Sequence, residues 1–189
     1  MTTTIPRASA ILGAARTLAA KLHHAVPIDR AALSEAMTES AGGSDAAGAW
    51  QQRDSFEALE VALSLAIPEL VGRMEVGAAI STLEALAREL PTHTVRSEDQ
   101  IQFQQFSTPP TLARLAVHLA RLSVDDVLLE PSAGTGIIAS LAKGAVKDLV
   151  LIPELKAKGC FTEIIAYKTR VFVPVDGAEG IIASIAGQA

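Results

Sequence analysis

The sequence predicts an α/β chain: a helical region over residues 1–104, then residues 105–189 carrying a partial sheet of about three parallel strands. Three observations predict it. The first hundred residues repeat apolar side chains at three- and four-residue spacing, the period of an amphipathic helix. Asp126-Val127-Leu128-Leu129-Glu130 is a short apolar run of the kind found in buried parallel strands, and it leads through Gly134-Thr135-Gly136 into Ile137-Ile138-Ala139. That order is strand, tight turn, helix start. Two further apolar runs, residues 149–152 and 170–175, have strand length.

Bulk properties narrow the function classes. At 189 residues the chain fits one domain, or one with a helical annex, and 49% hydrophobic content supplies a core. A net charge of −5 opposes a strong non-specific hold on DNA, which comes from Lys and Arg neutralising phosphates. Cys160 is the only cysteine, so no intrachain disulfide forms, and a reducing cytoplasm is the expected location. His23, His24, His93 and His118 lack Cys or acidic partners at ligand spacing, and no metal site is expected. Arg7, Arg16 and Lys21 interrupt the Ala-rich N-terminal stretch, leaving neither a signal-peptide core nor a span of ~20 apolar residues, so no membrane partner is expected.

The helical region divides at its turn residues. Ile11, Leu12, Ala15, Leu18, Ala19 and Leu22 form one helical face, and Pro27 ends that helix. Asp29 caps a second helix with Leu33, Ala36 and Met37 inward, which fades into the loop Ser40-Ala41-Gly42-Gly43-Ser44-Asp45. Trp50 then anchors that loop onto the helices. Asp54-Ser55-Phe56-Glu57 reads as a capping box opening a long helix with Phe56, Leu59, Leu63 and Ile67 buried, and Pro68 should kink or break it. Ile80, Leu83, Leu86 and Leu90 mark one more helix, terminated by Pro91.

After a polar stretch and the Gln-rich residues 100–105, Thr108 reads as an N-cap with Pro109 at the first helical position and Leu112, Leu115, Ala116 and Leu119 as the core stripe. Free N–H groups at that helix start suit a carboxylate. Gly134 and Gly136 let the main chain turn sharply and come close to a ligand, since no Cβ intervenes. Glu154 follows the apolar run 149–152, where nucleoside-binding sheets place an acid to accept hydrogen bonds from both ribose hydroxyls; Pro153 disturbs its aim. Residues 155–167 read as a helix weakened by Gly159, and residues 170–175 as a third strand ending at Asp176. The alternative pairs 161–167 with 169–175 as a hairpin, but Lys168 alone makes too short a loop.

Two motifs carry a family resemblance. Glu130-Pro131-Ser132-Ala133-Gly134-Thr135-Gly136 resembles motif I of the S-adenosylmethionine-dependent adenine-N6 DNA methyltransferases, and Gln105-Phe106-Ser107-Thr108-Pro109 resembles the motif that those enzymes lay against the methionine end of the cofactor. From residue 29 to residue 154 the chain is similar to the N-terminal methylase part of the bacterial strawberry-notch-type methylase/helicase proteins, large chains often borne on plasmids or phages. Gly42-Gly43-Ser44-Asp45-Ala46-Ala47-Gly48-Ala49-Trp50 and Leu90-Pro91-Thr92-His93-Thr94 carry that similarity, which loosens beyond Ala139.

The resemblance implies a Rossmann-like methyltransferase sheet and S-adenosylmethionine as cofactor, held by the two motifs with Glu154 on the ribose and Asp176 on the adenine amino group. It also implies a base-holding tetrapeptide of the type Asn/Asp-Pro-Pro-Tyr/Phe. None occurs; the only Pro-Pro is Pro109-Pro110. The chain therefore reads as the cofactor-binding half of a methyltransferase, truncated before its catalytic motif and without catalytic residues of its own. DNA contact would come only through missing or partner segments. The strand at 127–130 would then expose an open edge, so self-association or a protein partner that completes the sheet is expected. The alternative function is a non-catalytic regulatory module that pairs with a complete methyltransferase or another protein.

Overall fold

The computed structural model describes residues 5–92, 108–130, 134–151, 164–166 and 170–172. The chain is mixed α/β and divides into two compact units, residues 1–115 and 116–189.

The first unit is built on α1 (Arg7–His23), α2 (Arg30–Ala41), α3 (Gln52–Val71) and α4 (Val76–Glu89). α1 packs on both α2 and α3, and α2 packs on α3. Their shared core takes Ala10, Ala14, Ala15 and Leu18 from α1, Leu33, Ala36 and Met37 from α2, and Phe56, Leu59 and Ala62 from α3. Small residues let the helices come close. A Cβ on Gly13 would stand 2.1 Å from Ser40 Oγ, whose hydroxyl donates to the Ala10 carbonyl at 2.7 Å across the α1–α2 contact.

Local chemistry sets the helix ends. The Asp29 carboxylate accepts the Ala32 N–H at 2.8 Å, as an N-cap should. Trp50 is buried and its indole N–H donates to the Gly43 carbonyl at 3.1 Å, pinning the loop as expected. The capping box exists with its roles reversed: Gln51 is the N-cap and Asp54 the third helical residue, accepting the Gln51 N–H at 2.9 Å. Buried Asp54 also accepts from Arg7 Nε at 2.8 Å, and this bond, with nearby Glu57, raises the Arg7 guanidinium above its ordinary range. Pro68 does not break α3, which continues to Val71. Ile67 and Val71, both fully buried, hold the helix against its neighbours, and only the final turn lies beyond the missing N–H.

The division between the units falls within α5 (Pro110–Leu119). This helix starts one residue later than expected, with the Pro109 carbonyl accepting the first bond, from Ala113 N–H at 3.0 Å. Its predicted core stripe is not buried: Ala113 is the one buried residue, while Leu112 is 56% and Leu119 67% exposed. Spacing marks an amphipathic stripe, but only neighbouring elements can cover it.

In the second unit β1 (Val127–Glu130) is followed by α6 (Ile137–Ala142) and β2 (Asp148–Leu151). β1 and β2 run parallel, with Val127 opposite Asp148 and Glu130 opposite Leu151. β3 (Ile164–Ala166) lies antiparallel to β2, and β4 (Arg170–Phe172) antiparallel to β3, giving the order β1-β2-β3-β4.

Two expectations are corrected here. Only one described pair of strands is parallel, so the described sheet lacks the three parallel strands read from the sequence. Residues 164–166, read as helix, are strand. The objection to a hairpin, that Lys168 alone would link its strands, holds only for strands as long as 161–167 and 169–175. The described strands pair Ala166 with Arg170, leaving three residues between them rather than one. β3 is paired on both sides, and β-branched Ile164 and Ile165 suit a strand better than a helix.

Candidate functional site

β1 carries Glu130 at its carboxyl end, the end at which parallel α/β sheets receive ligands. Four residues on, Gly134 has φ +50° and Gly136 φ +83°, both left-handed. An L side chain at either position meets steric cost of about 1–2 kcal/mol, so glycine belongs there on backbone grounds alone. Among the described residues nothing lies within 4 Å of a Cβ added at either glycine, so both main-chain segments border space that these residues leave open. Gly136 caps α6, its carbonyl accepting the Ser140 N–H at 2.8 Å.

Glu130 is the unusual group of this turn. It is only 7% exposed, and its Oε2 is buried with no hydrogen-bond partner among the described residues. Burial pushes its carboxyl up to about 7, and the Ala139 backbone N–H opposes that rise by favouring the charged form. α6 packs on β1 with Ile137, Ala139 and Ala142 buried. Burial thus favours the protonated carboxyl below about pH 7, and a donor reaching its free oxygen would favour the ionised form.

The structure thus brings Glu130, Gly134, Thr135 and Gly136 together on one strand–turn–helix unit. Thr108 is half-buried and Pro109 exposed, both in the first unit. Gln105, Phe106, Ser107, Pro131, Ser132, Ala133, Glu154 and Asp176 lie outside the described residues. Sequence reasoning selected Glu130 but missed its unpaired oxygen and its titration near neutrality. The available signal was an acid closing the apolar run Val127-Leu128-Leu129, ahead of the alternately buried Ile137 and Ala139.

Comparison of the chain with protein-family models, with curated proteins and with solved structures found no match. The functional reading therefore rests on the residues themselves. An apolar groove opens in the first unit, lined by Leu59 and Leu63 of α3 and Leu83 and Leu86 of α4, and no described residue of the two motifs lines it. Among the described residues no group of three or more His, Cys, Asp or Glu side chains is placed to hold a metal ion. No described helix is long and apolar enough to cross a membrane.

Proposed function

We propose that this chain is the S-adenosylmethionine-binding portion of an adenine-specific DNA N6-methyltransferase, with no catalytic residue assigned within it. The observation that carries the reading is the β1–glycine turn–α6–β2 unit, in which Glu130 presents an unpaired buried oxygen beside two left-handed glycines. These residues fit the cofactor on two counts. An orphaned carboxylate oxygen suits a ligand bearing a protonated amine, and open space before Gly134 and Gly136 lets a ligand reach the main chain. The bound cofactor supplies a methyl group on a sulfonium, which the parent reaction passes to an adenine amino group.

The finer fold reading belongs to the same proposal. β1 and β2 would be the first parallel pair of a Rossmann-like methyltransferase sheet, with the Gln105-Phe106-Ser107-Thr108-Pro109 segment against the methionine portion, Glu154 on the ribose and Asp176 at the adenine. Pro131, Ser132 and Ala133 would complete the loop between Glu130 and the glycines. A cytoplasmic location suits DNA as the eventual substrate.

Calorimetric titration with S-adenosylmethionine and S-adenosylhomocysteine tests this reading. Saturable heat at one site is expected, lost in Gly134→Val with helical content by circular dichroism unchanged. Absence of heat at roughly millimolar ligand, a free energy near −4 kcal/mol, removes the cofactor claim. Equal binding by the variant removes the glycine turn from the site.

A second reading, a non-catalytic module that pairs with a complete methyltransferase or another protein, draws on a separate observation. β1 pairs only with β2, so its other edge is open in the described sheet, and Val127 on it and Val124 before it are exposed. Open apolar edges recruit other chains. DNA contact, in either reading, comes through segments other than these residues.

A further inference from the structure

We propose that the apolar groove of the first unit is the seat for the chain's own segment 93–107, which enters it with the side chains of Ile101 and Phe103 and so holds the following Gln105-Phe106-Ser107-Thr108-Pro109 in place. The seat is a property of the helical unit alone; its role in positioning that motif rests on the cofactor reading above. Size narrows the occupant first. The groove encloses about 210 Å³ between Leu59 and Leu63 of α3 and Leu83 and Leu86 of α4. Sites for drug-sized ligands run to about 300–1,000 Å³, and a partner helix needs a row of anchor pockets along its length. This groove has room for one or two large apolar side chains.

Where the segment starts and ends then selects it. Thr92, the described residue just before the segment, and Pro110, shortly after it, both line the groove. Each end is tied to the helices: the Arg30 guanidinium donates to the Thr92 carbonyl at 3.2 Å, and the Arg114 guanidinium on α5 donates to the Met74 carbonyl at 3.2 Å. With both ends held, seating is intramolecular, at an effective concentration on the order of millimolar that a free ligand has to exceed. A separate observation points the same way. Arg114 Nε is buried without an acceptor among the described residues, and buried donors are normally paired. Segment 93–107 is the stretch outside the described residues that adjoins this helix, and its acceptors are close at hand.

Composition picks the side chains. The large apolar residues of the segment are Val95, Ile101, Phe103 and Phe106. Phe106 belongs to the motif, and Val95 stands alone beside Arg96. Ile101 and Phe103 alternate with Gln100, Gln102 and Gln104, so in an extended chain the two apolar groups share one side and the glutamines the other. Phe103 precedes Thr108 by a reach of up to about 17 Å, ample for a groove that Pro110 itself lines.

Nuclear Overhauser contacts in the full wild-type chain, labelled at Phe and Leu, read the seat directly. Contacts from the Phe103 ring to the Leu83 and Leu86 methyl groups are expected, and their absence overturns the proposal. Cross-linking distinguishes the occupants. In a Cys160→Ser background, Phe103→Cys with Leu86→Cys should close an intrachain disulfide under mild oxidation, whereas Phe103→Cys with Leu65→Cys, exposed on α3 and not among the groove residues, should not. Equal rates for the two pairs would mean an unseated segment, and an interchain disulfide would give the groove to a second copy; either result overturns the proposal. For the positioning role, Phe103→Ala should keep its helical content by circular dichroism and bind S-adenosylhomocysteine about tenfold more weakly, the motif then being held ready in about a tenth of the molecules. Phe103→Leu, which refills the groove, should restore the affinity. Unchanged affinity in Phe103→Ala overturns the positioning role. The expected contacts in a chain that binds no S-adenosylhomocysteine would keep the seat and overturn the cofactor reading, together with the positioning role that rests on it.

Discussion

Replacing Glu130 by Gln should reverse sign in its effect on stability as the pH is raised. The carboxyl moves from its ordinary 4.5 to about 7 because it is buried with Oε2 unpaired. Between those two values the folded chain binds more protons than the unfolded chain, so stability falls as pH rises through that window. The contribution of the protonated carboxyl is fully present below about pH 4.5 and gone above about pH 7. Its size is about 3 kcal/mol at most, taking about 1.36 kcal/mol for each tenfold change in proton affinity. Gln has the same shape and never ionises, but its amide NH₂ must be buried, at a cost of about 1 kcal/mol. The variant should be the less stable protein at about pH 4.5 and the more stable one, by roughly 1–2 kcal/mol, at pH 8. Exchange of the Leu128, Leu129 and Leu149 amides, corrected for the intrinsic effect of pH, reports the opening of β1 and β2 directly. A wild-type-to-variant difference that stays constant across this range would refute the reasoning, since it would mean that Glu130 titrates alike in the folded and unfolded chain.

Three further outcomes are expected. Asp54→Ala should cost roughly 2 kcal/mol in urea unfolding followed by Trp50 fluorescence, because it leaves the Gln51 N–H and the Arg7 guanidinium without their buried acceptor; a loss below about 0.5 kcal/mol would mark the contact as incidental. Glu154→Ala should weaken S-adenosylhomocysteine binding by roughly 1–3 kcal/mol through lost charge-assisted hydrogen bonds to the ribose, and unchanged affinity would make it a surface glutamate. Sedimentation over a concentration series should show self-association through the open β1 edge, reduced by Val127→Lys, whereas a monomer throughout would show that the edge is protected.

What the sequence disclosed was mostly what neighbouring residues decide. The Asp29 cap, the Trp50 anchor and the strand–turn–helix order around Gly134 and Gly136 depend on a few adjacent side chains, and each stands as read. Where distant parts of the chain decide, the reading failed. Of the two outcomes read for Pro68, a kink or a break, the break does not occur, because Ile67 and Val71 are held in the core. The stripe on α5 is apolar yet largely uncovered, which spacing could not reveal. Ile164 and Ile165 became strand because β2 offered an edge to pair with, a contact about fifteen residues away along the chain. At the candidate site the identities were legible and the electrostatics were not: Glu130 was visible as an acid in a motif, but its missing partner is a property of the packed turn.

The central claim, that the Glu130–Gly136 turn holds S-adenosylmethionine, is tested most directly by equilibrium dialysis of the full chain against methyl-labelled cofactor at about pH 8, where the Glu130 carboxyl is largely ionised. The account predicts one cofactor bound per chain, displaced by S-adenosylhomocysteine and lost in Gly134→Val. Equal label on both sides of the membrane at roughly millimolar cofactor, or full binding by the variant, would contradict it.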